Sequence, residues 1–437
     1  MNGDGSTPPK EEYDLLIVGG GIGGVVGLHY AKKAGLKVLL LEKQAVVGGL
    51  WAQLPAWQDI QVNQNDWTLG DLPITGTDQA SIVRNIQAWV DKFGLAPLIR
   101  LYTPVTNAQA TSSGWKVSTP EGVYFSRFLL AATGVHNLPV IPQVDRQESA
   151  IQEFHSSALR DPCALTGKDV VVVGGGASAF DLIDLCFQYK AQRVVWVYRS
   201  LKWMVPTRKP KYLAGDLRGL SRQQMHGVSV HQMNVEINQD LLGRYEKFGL
   251  KELLPQGRFD FHRHQMIPGR CGMIANFASI ERHQGEISRL SGRTIHLSSG
   301  ARFNADVVLW GTGYDVDLRY FHSPILAQIT RTEALAARCG SLLRSLDAPK
   351  LFFLAPSLLE STSTSPWAYA HACRTIMSHI CGKAALDAEP VLQKLNYFEL
   401  AKFLATRDPE NYPPDTWFAN YRDLAMNHPD AEPMPIP

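Results

Sequence analysis

Val170-Val-Val-Val-Gly-Gly-Gly-Ala-Ser-Ala-Phe-Asp181 reads as a buried strand, a glycine turn and the start of a helix. Four consecutive valines, all β-branched and apolar, suit a parallel strand covered on both faces. Gly174 permits the tight turn and Gly176 lets the backbone come close to a phosphate. Ala179, small like the third glycine of the motif, lets the helix pack on the strand, and Ser178 lies in the helix's first turn. A second copy stands far upstream, Leu15-Leu-Ile-Val-Gly-Gly-Gly-Ile-Gly-Gly24, with Gly19, Gly21 and Gly24 at the same spacing. One chain with two such units is expected to hold two dinucleotides side by side, which points to electron transfer between them.

A chain of 437 residues has room for about two or three domains. Apolar content of 45% and charged content of 19% describe a globular protein with ample core. A net charge of +2 gives no argument for a nucleic-acid partner or a charged membrane surface, and neither is expected. The six cysteines form no Cys-x-x-Cys pair and suit a reducing compartment. No apolar run approaches the roughly 18 residues of a membrane span, and the polar, Pro/Gly-rich start reads as a flexible lead-in. The expectation is a cytoplasmic protein with no membrane contact, a homodimer being among the assemblies open to it.

In the first unit a strand from Asp14 to Val18 precedes a helix from Gly23 to about Ala34, which stops at Gly35. The next strand, Leu36 to Leu41, ends on Glu42, 18 residues beyond Gly24. A carboxylate there accepts hydrogen bonds from both ribose hydroxyls and repels a 2′-phosphate, so this unit is expected to hold FAD or NAD. Val47-Gly-Gly-Leu-Trp51 follows, and the double glycine allows a backbone loop, with Gly49, Leu50 and Trp51, to lie against a flat ring system. Further on, Ile82 to Phe93 has helical periodicity, and the stretches beginning at Trp115 and Val123 read as a hairpin.

The second unit differs where it matters. Its second strand, Arg193 to Tyr198, ends in Arg199-Ser200 with Lys202 close by, where the first unit has its acid. A guanidinium and a hydroxyl suit a 2′-phosphate, so NADPH is expected here. Leu241 to Leu254 is expected to be helical, and His262, Arg263 and His264 read as solvated loop and not as metal ligands. A hairpin is expected around Thr294 to Gly300. Ala305 to Asp315 closes the unit with Thr312-Gly313, paralleling Thr133-Gly134 in the first. Beyond it, Lys350 to Leu354 reads as a buried strand. Ser365 as N-cap and Pro366 as first helical residue then start a helix that continues over 368–383.

Several of these elements together resemble the flavin-containing monooxygenase family. They are the Gly-Gly-x-Trp loop, the segment Phe128 to Gly134 with Pro139 and Pro142, and Trp203-Met-Val-Pro206 after the arginine. Gly311-Thr312-Gly313-Tyr314 matches the family's Ala-Thr-Gly-Tyr element, the glycine being expected as a conservative change. His155-Ser-Ser157 fits the histidine of the family's signature loop, although Ser149 and Ile151 stand where an aromatic residue and a glycine belong.

The resemblance implies an α/β fold of two Rossmann-like dinucleotide-binding domains, the NADPH domain (146–313) inserted into the FAD domain (13–145 and 314–437), after a flexible 1–12. It implies that NADPH reduces FAD and that the reduced flavin and O₂ form a C4a (hydro)peroxide. That adduct oxygenates a small molecule at nitrogen or sulfur. Baeyer–Villiger chemistry, or NADPH-dependent flavin oxidase or reductase activity without oxygen insertion, are the alternatives. The resemblance also implies that Asn63, with Asn65 as fallback, faces the flavin, and that the helix capped by Ser365 points at the flavin's pyrimidine edge.

Overall fold

The computed structural model describes residues 12–60, 72, 74–206, 230–260, 263–264, 266–354, 366–391 and 407. Along the chain, β1 (Glu12–Val18), α1 (Ile22–Lys33), β2 (Val38–Leu41), α2 (Gln79–Lys92), β3 (Ile99–Arg100) and β4 (Gly122–Ala131) build the first unit. The chain then crosses through β5 (Leu138–Pro139) to β6 (Gln152–His155), β7 (Asp169–Val173), α3 (Ala177–Gln188), β8 (Arg193–Tyr198), β9 (Glu281–Gln284) and β10 (Val307–Trp310). It returns through β11 (Tyr314–Asp315) to β12 (Leu351–Phe353) and α4 (Pro366–Ile380).

The two sheets are built alike. The first runs β12-β4-β1-β2-β3 in parallel, with short antiparallel strands outside β12 and a hairpin extending β4. The second runs β9-β8-β7-β10-β6, all parallel. In each, the strand carrying the glycine turn is central. On one side lies the strand that ends in Glu42 or Arg199, and on the other the strand that leads to Thr-Gly. The central strands are almost wholly buried, Leu15, Leu16 and Ile17 in one and Val170, Val171 and Val172 in the other, each at 0% exposure. Their apolar runs therefore decide the fold, since only a sheet covered on both faces hides them. β5 and β11 pair antiparallel, so the outgoing and returning chains cross between the units side by side.

One expectation changes. The helix foreseen over 241–254 spans Val230–Lys247 instead. Gly249, at φ +68°, stops it, and a separate short turn covers Lys251–Leu253. The stop is a left-handed glycine just past the last helical residues. Beside it, Arg270 and Asp181 form a buried ion pair, Nε to Oδ1 2.5 Å, that joins the segment after this helix to α3.

The close approach of helix to strand is achieved in mirror fashion in the two units. In the first, a methyl placed on Gly24 would lie 1.9 Å from the Gly19 carbonyl oxygen, and Ala132 supplies the methyl from the strand side. In the second, the methyl sits on the helix, on Ala179, and Gly311 leaves the room for it. A Cβ on Gly311 would lie 2.7 Å from both N and Cα of Ala179. The glycine at 311 is therefore not a conservative exchange here but the complement of the alanine at 179. Gly311→Ala is expected to destabilise the fold by about 1–3 kcal/mol through overpacking. Ala179→Gly added to it should restore most of that loss by letting α3 settle as α1 does. A denaturant-melt double-mutant cycle showing additive losses would refute the pairing.

Candidate functional site

Both glycine turns open onto the first turn of a helix. Gly21 and Gly176 are the N-caps of α1 and α3, and neither helix has a side-chain cap. The leading N–H groups, which carry the positive end of each helix, therefore face outward at the end of the central strand. Gly19 (φ +106°) and Gly174 (φ +133°) make the turns, and their N–H groups donate to Leu41 and Val197, each at 2.9 Å. At Gly176 an added Cβ would meet nothing within 4 Å, which leaves a cradle over the turn. Trp196, fully buried, donates its indole N–H to the Gly174 carbonyl at 2.6 Å and so fixes the turn from beneath.

Glu42 is only 4% exposed and is held by two backbone donors, Gly20 N–H to Oε2 at 2.5 Å and Gln44 N–H to Oε1 at 2.7 Å. Each carboxylate oxygen keeps lone-pair capacity beyond those bonds. The loop after β3 wraps the same residue, with Glu42 N–H donating to Arg100 and Thr103 N–H to Glu42, at 2.9 and 2.8 Å. That loop carries Tyr102, left-handed at φ +54° and 67% exposed, a residue the sequence reading passed over. Its N–H donates to the Gln44 carbonyl at 3.1 Å, and a non-glycine residue held in so sparsely populated a conformation is where strain commonly marks a site.

The double glycine of the Gly-Gly-Leu-Trp loop also serves a partner within the protein. Gly48 donates to the Gly20 carbonyl at 2.8 Å, and a Cβ on Gly49 would lie 2.7 Å from the Gly21 Cα. The loop thus packs backbone on backbone against the first glycine turn, with Leu50 and Trp51 partly buried beyond it. Gly134 (φ +78°) and Gly313 (φ +82°) both have open space where a side chain would stand. Thr133 offers its carbonyl to Asn137 Nδ2 at 3.3 Å, and the Thr312 hydroxyl is taken by the Val140 carbonyl. Thr312 therefore stabilises the crossing with its side chain. His155, from the signature loop, bridges the Gly313 carbonyl (3.0 Å) and the Ser157 hydroxyl (2.8 Å).

At the end of β8 the structure adds a residue that the sequence reading missed. Arg199, 79% exposed at its side chain, faces Glu286, Nη1 to Oε1 3.4 Å. Gly285 donates to Tyr198 at 2.9 Å and Gln284 Nε2 to Arg199 at 3.2 Å, which brings the turn after β9 against the arginine. Ser200 lies against the glycine turn, its carbonyl where a Cβ on Gly175 would be, and Lys202 is exposed. The only forewarning was the Gly285-Glu286 turn itself, which parallel pairing of β8 and β9 brings alongside.

α4 begins at Pro366 beside the start of α1. Tyr369 packs against Gly23, and Cys373 against Gly23 and Gly27, so the glycine stripe of one helix receives the ridge of the other. Asn63, Asn65, Ser365 and His262 lie outside the described residues. His264 accepts the Asp260 N–H at 2.8 Å. Among the described residues no three His, Cys, Asp or Glu side chains gather as metal ligands would, and no helix is long and apolar enough to cross a membrane.

A profile of the family described as "Pyridine nucleotide-disulphide oxidoreductase" matches residues 16–242, more than half of the 437. Flavin-containing monooxygenase 5 of Cavia porcellus is 24% identical over 71% of this chain and 63% of its own. A Baeyer-Villiger monooxygenase of Streptomyces coelicolor is 22% identical over 70% of this chain and 65% of its own. The chain thus spans slightly less than two thirds of these relatives. The open crystal structure of cyclohexanone monooxygenase superposes with a TM-score of 0.69 at 16% identity, covering 93% of this chain and 99% of that one. The likeness bears out the α/β fold of two Rossmann-like units, and the resemblance to flavin monooxygenases stands. With both glycine turns inside one such fold, the chain belongs to the pyridine nucleotide-disulphide oxidoreductase family.

Proposed function

We propose that the chain is an FAD- and NADPH-dependent monooxygenase that oxygenates a small molecule at nitrogen or sulfur. The observation that carries the reading is the asymmetry of two like units: a buried carboxylate, Glu42, ends the second strand of one, and a guanidinium, Arg199, ends that of the other. Glu42 would accept the ribose hydroxyls of FAD and repel a 2′-phosphate, whereas Arg199 would pair with the 2′-phosphate of NADPH. The uncapped starts of α1 and α3, with the open cradle at Gly176, fit pyrophosphates. When bound, the flavin would take electrons from the nicotinamide and activate dioxygen for transfer of one oxygen atom.

The chain's own part is to hold, orient and shield. No sequence motif supplies an activated nucleophile, and a soft nitrogen or sulfur substrate needs none. The six cysteines, all free thiols and three of them fully buried, offer no redox pair of the kind the family name mentions. That favours the monooxygenase reading over disulfide reduction.

The test is product analysis with NADPH and air over a panel of amines, thioethers and ketones. The expected result is an amine or thioether that gains one oxygen atom. An ester or lactone from a ketone would instead establish the Baeyer–Villiger reading, and hydrogen peroxide in step with NADPH, with no oxygenated product, an oxidase. Asn63→Leu is expected to leave flavin reduction intact while product per NADPH falls and peroxide rises; unchanged coupling would remove Asn63 from the site.

A further inference from the structure

Trp57 leaves its own unit. Its indole packs on the hydrophobic core of the second unit, and its Nε1–H donates to the Leu159 carbonyl at 2.6 Å, 102 residues away. Leu159 is 1% exposed in that core. The segment that carries Trp57 is fastened to the first unit at both ends. Trp51 packs on the first core, and its carbonyl accepts Gln79 Nε2 at 2.6 Å. Farther along, Gln79 N–H donates to Gln58 at 3.2 Å, Ile60 N–H donates to Thr77 at 2.9 Å, and Asp59 bridges to Asp78, the N-cap of α2. Residues 51–60 are therefore a strap, pinned beside the first glycine turn and reaching across through one side chain.

Further joints among the described residues run along the crossing. β5 pairs with β11, Val140 donates to Gly313 at 3.0 Å, and Asn137 accepts from Asp317 N–H at 2.7 Å. Two chains that cross side by side hold the units together yet leave rotation about their common line weakly opposed. A tie contributed by neither linker opposes it.

We propose that Trp57 is a positioning residue: it sets the orientation of the nicotinamide unit over the flavin unit. The inference rests on the two-cofactor reading above. Hydride passes from nicotinamide to flavin only when the reacting atoms approach to about 3–3.5 Å, and a misplacement of about 1 Å costs on the order of a hundredfold in rate. A residue that fixes the angle between the units therefore acts on the rate of flavin reduction more than on the binding of either cofactor.

The experiment compares the parent with Trp57→Phe, which keeps a ring on the second core and loses the N–H, and Trp57→Ala, which loses both. Anaerobic bleaching of the flavin is followed at saturating NADPH, per bound flavin. The expected result is a fall of about tenfold for Phe and up to a hundredfold for Ala, with the half-saturating NADPH concentration within about threefold of the parent. Hydrogen exchange supplies a readout independent of activity: amides around 77–82 and 155–165 should exchange faster in both variants. A lowered melting temperature with parental reduction rate per flavin would show a merely structural residue and overturn the proposal. If NADPH leaves the parent's flavin oxidised, the functional reading fails. Exchange then decides the tie alone, and unchanged protection on both sides in Trp57→Ala refutes it.

Discussion

Gly21→Asp is expected to purify as a folded, colourless protein. Gly21 is the N-cap of α1 at φ −73° and ψ −176°, a conformation open to any residue, and the nearest atom to an added Cβ is the Gly49 Cα at an ordinary 3.5 Å. Aspartate is among the best N-cap residues, so the substitution supports the helix by itself. Its carboxylate, however, would take the N–H donors and the positive helix end that a pyrophosphate needs, and would add like charge beside it. A hydrogen-bonded anion at such a site is worth about 1.5–3 kcal/mol, and repulsion adds to its loss. A fall in FAD affinity of at least a hundredfold follows. Far-ultraviolet circular dichroism and the melting temperature should match the parent while the visible flavin bands vanish. A yellow variant with parental flavin content would move FAD out of the first unit. Gly24→Ala would not test the same point, because its Cβ would meet the Gly19 oxygen at 1.9 Å and break the packing itself.

How far the sequence could be read follows from how local each signal is. Both glycine turns, both central strands and the starts of α1 and α3 were legible, since each is written in a dozen contiguous residues of valine, leucine and glycine. Glu42 was legible for the same reason, at a fixed distance beyond its turn. Glu286 was not, because it reaches Arg199 only through the parallel pairing of β8 with β9, 87 residues on. Nor was the strap, whose one crossing contact spans 102 residues. The pairing of Gly311 with Ala179 shows a third case: both residues were noticed singly, and their meaning appears only when strand and helix pack so closely that a Cβ on Gly311 would lie 3.0 Å from the Ala179 Cβ. The end of the Val230–Lys247 helix, by contrast, was signalled by Gly249 and could have been read from the sequence.

Arg199→Ala is expected to raise the half-saturating NADPH concentration about tenfold, the lower end of the range for a charge-assisted pair, because the side chain is 79% exposed. NADH, which lacks the 2′-phosphate, should be nearly unaffected. Glu286→Gln should act in the opposite direction. In the free protein the Glu286 carboxylate occupies the guanidinium at 3.4 Å, and an incoming phosphate has both to displace it and to approach its charge. An exposed ion pair of this kind contributes only about 0.2–1 kcal/mol, so removing the charge should tighten NADPH about two- to fivefold. The effect should shrink as salt is raised. For NADH the sign reverses, since a carboxylate can accept a ribose 2′-hydroxyl and a glutamine amide does so less well. Calorimetric titration with adenosine 2′,5′-bisphosphate gives the same comparison without turnover. Equal losses for both nucleotides in Arg199→Ala would indicate a damaged fold. A Glu286→Gln variant that binds the bisphosphate no better than the parent would leave the arginine unopposed and the carboxylate without a part in cofactor choice.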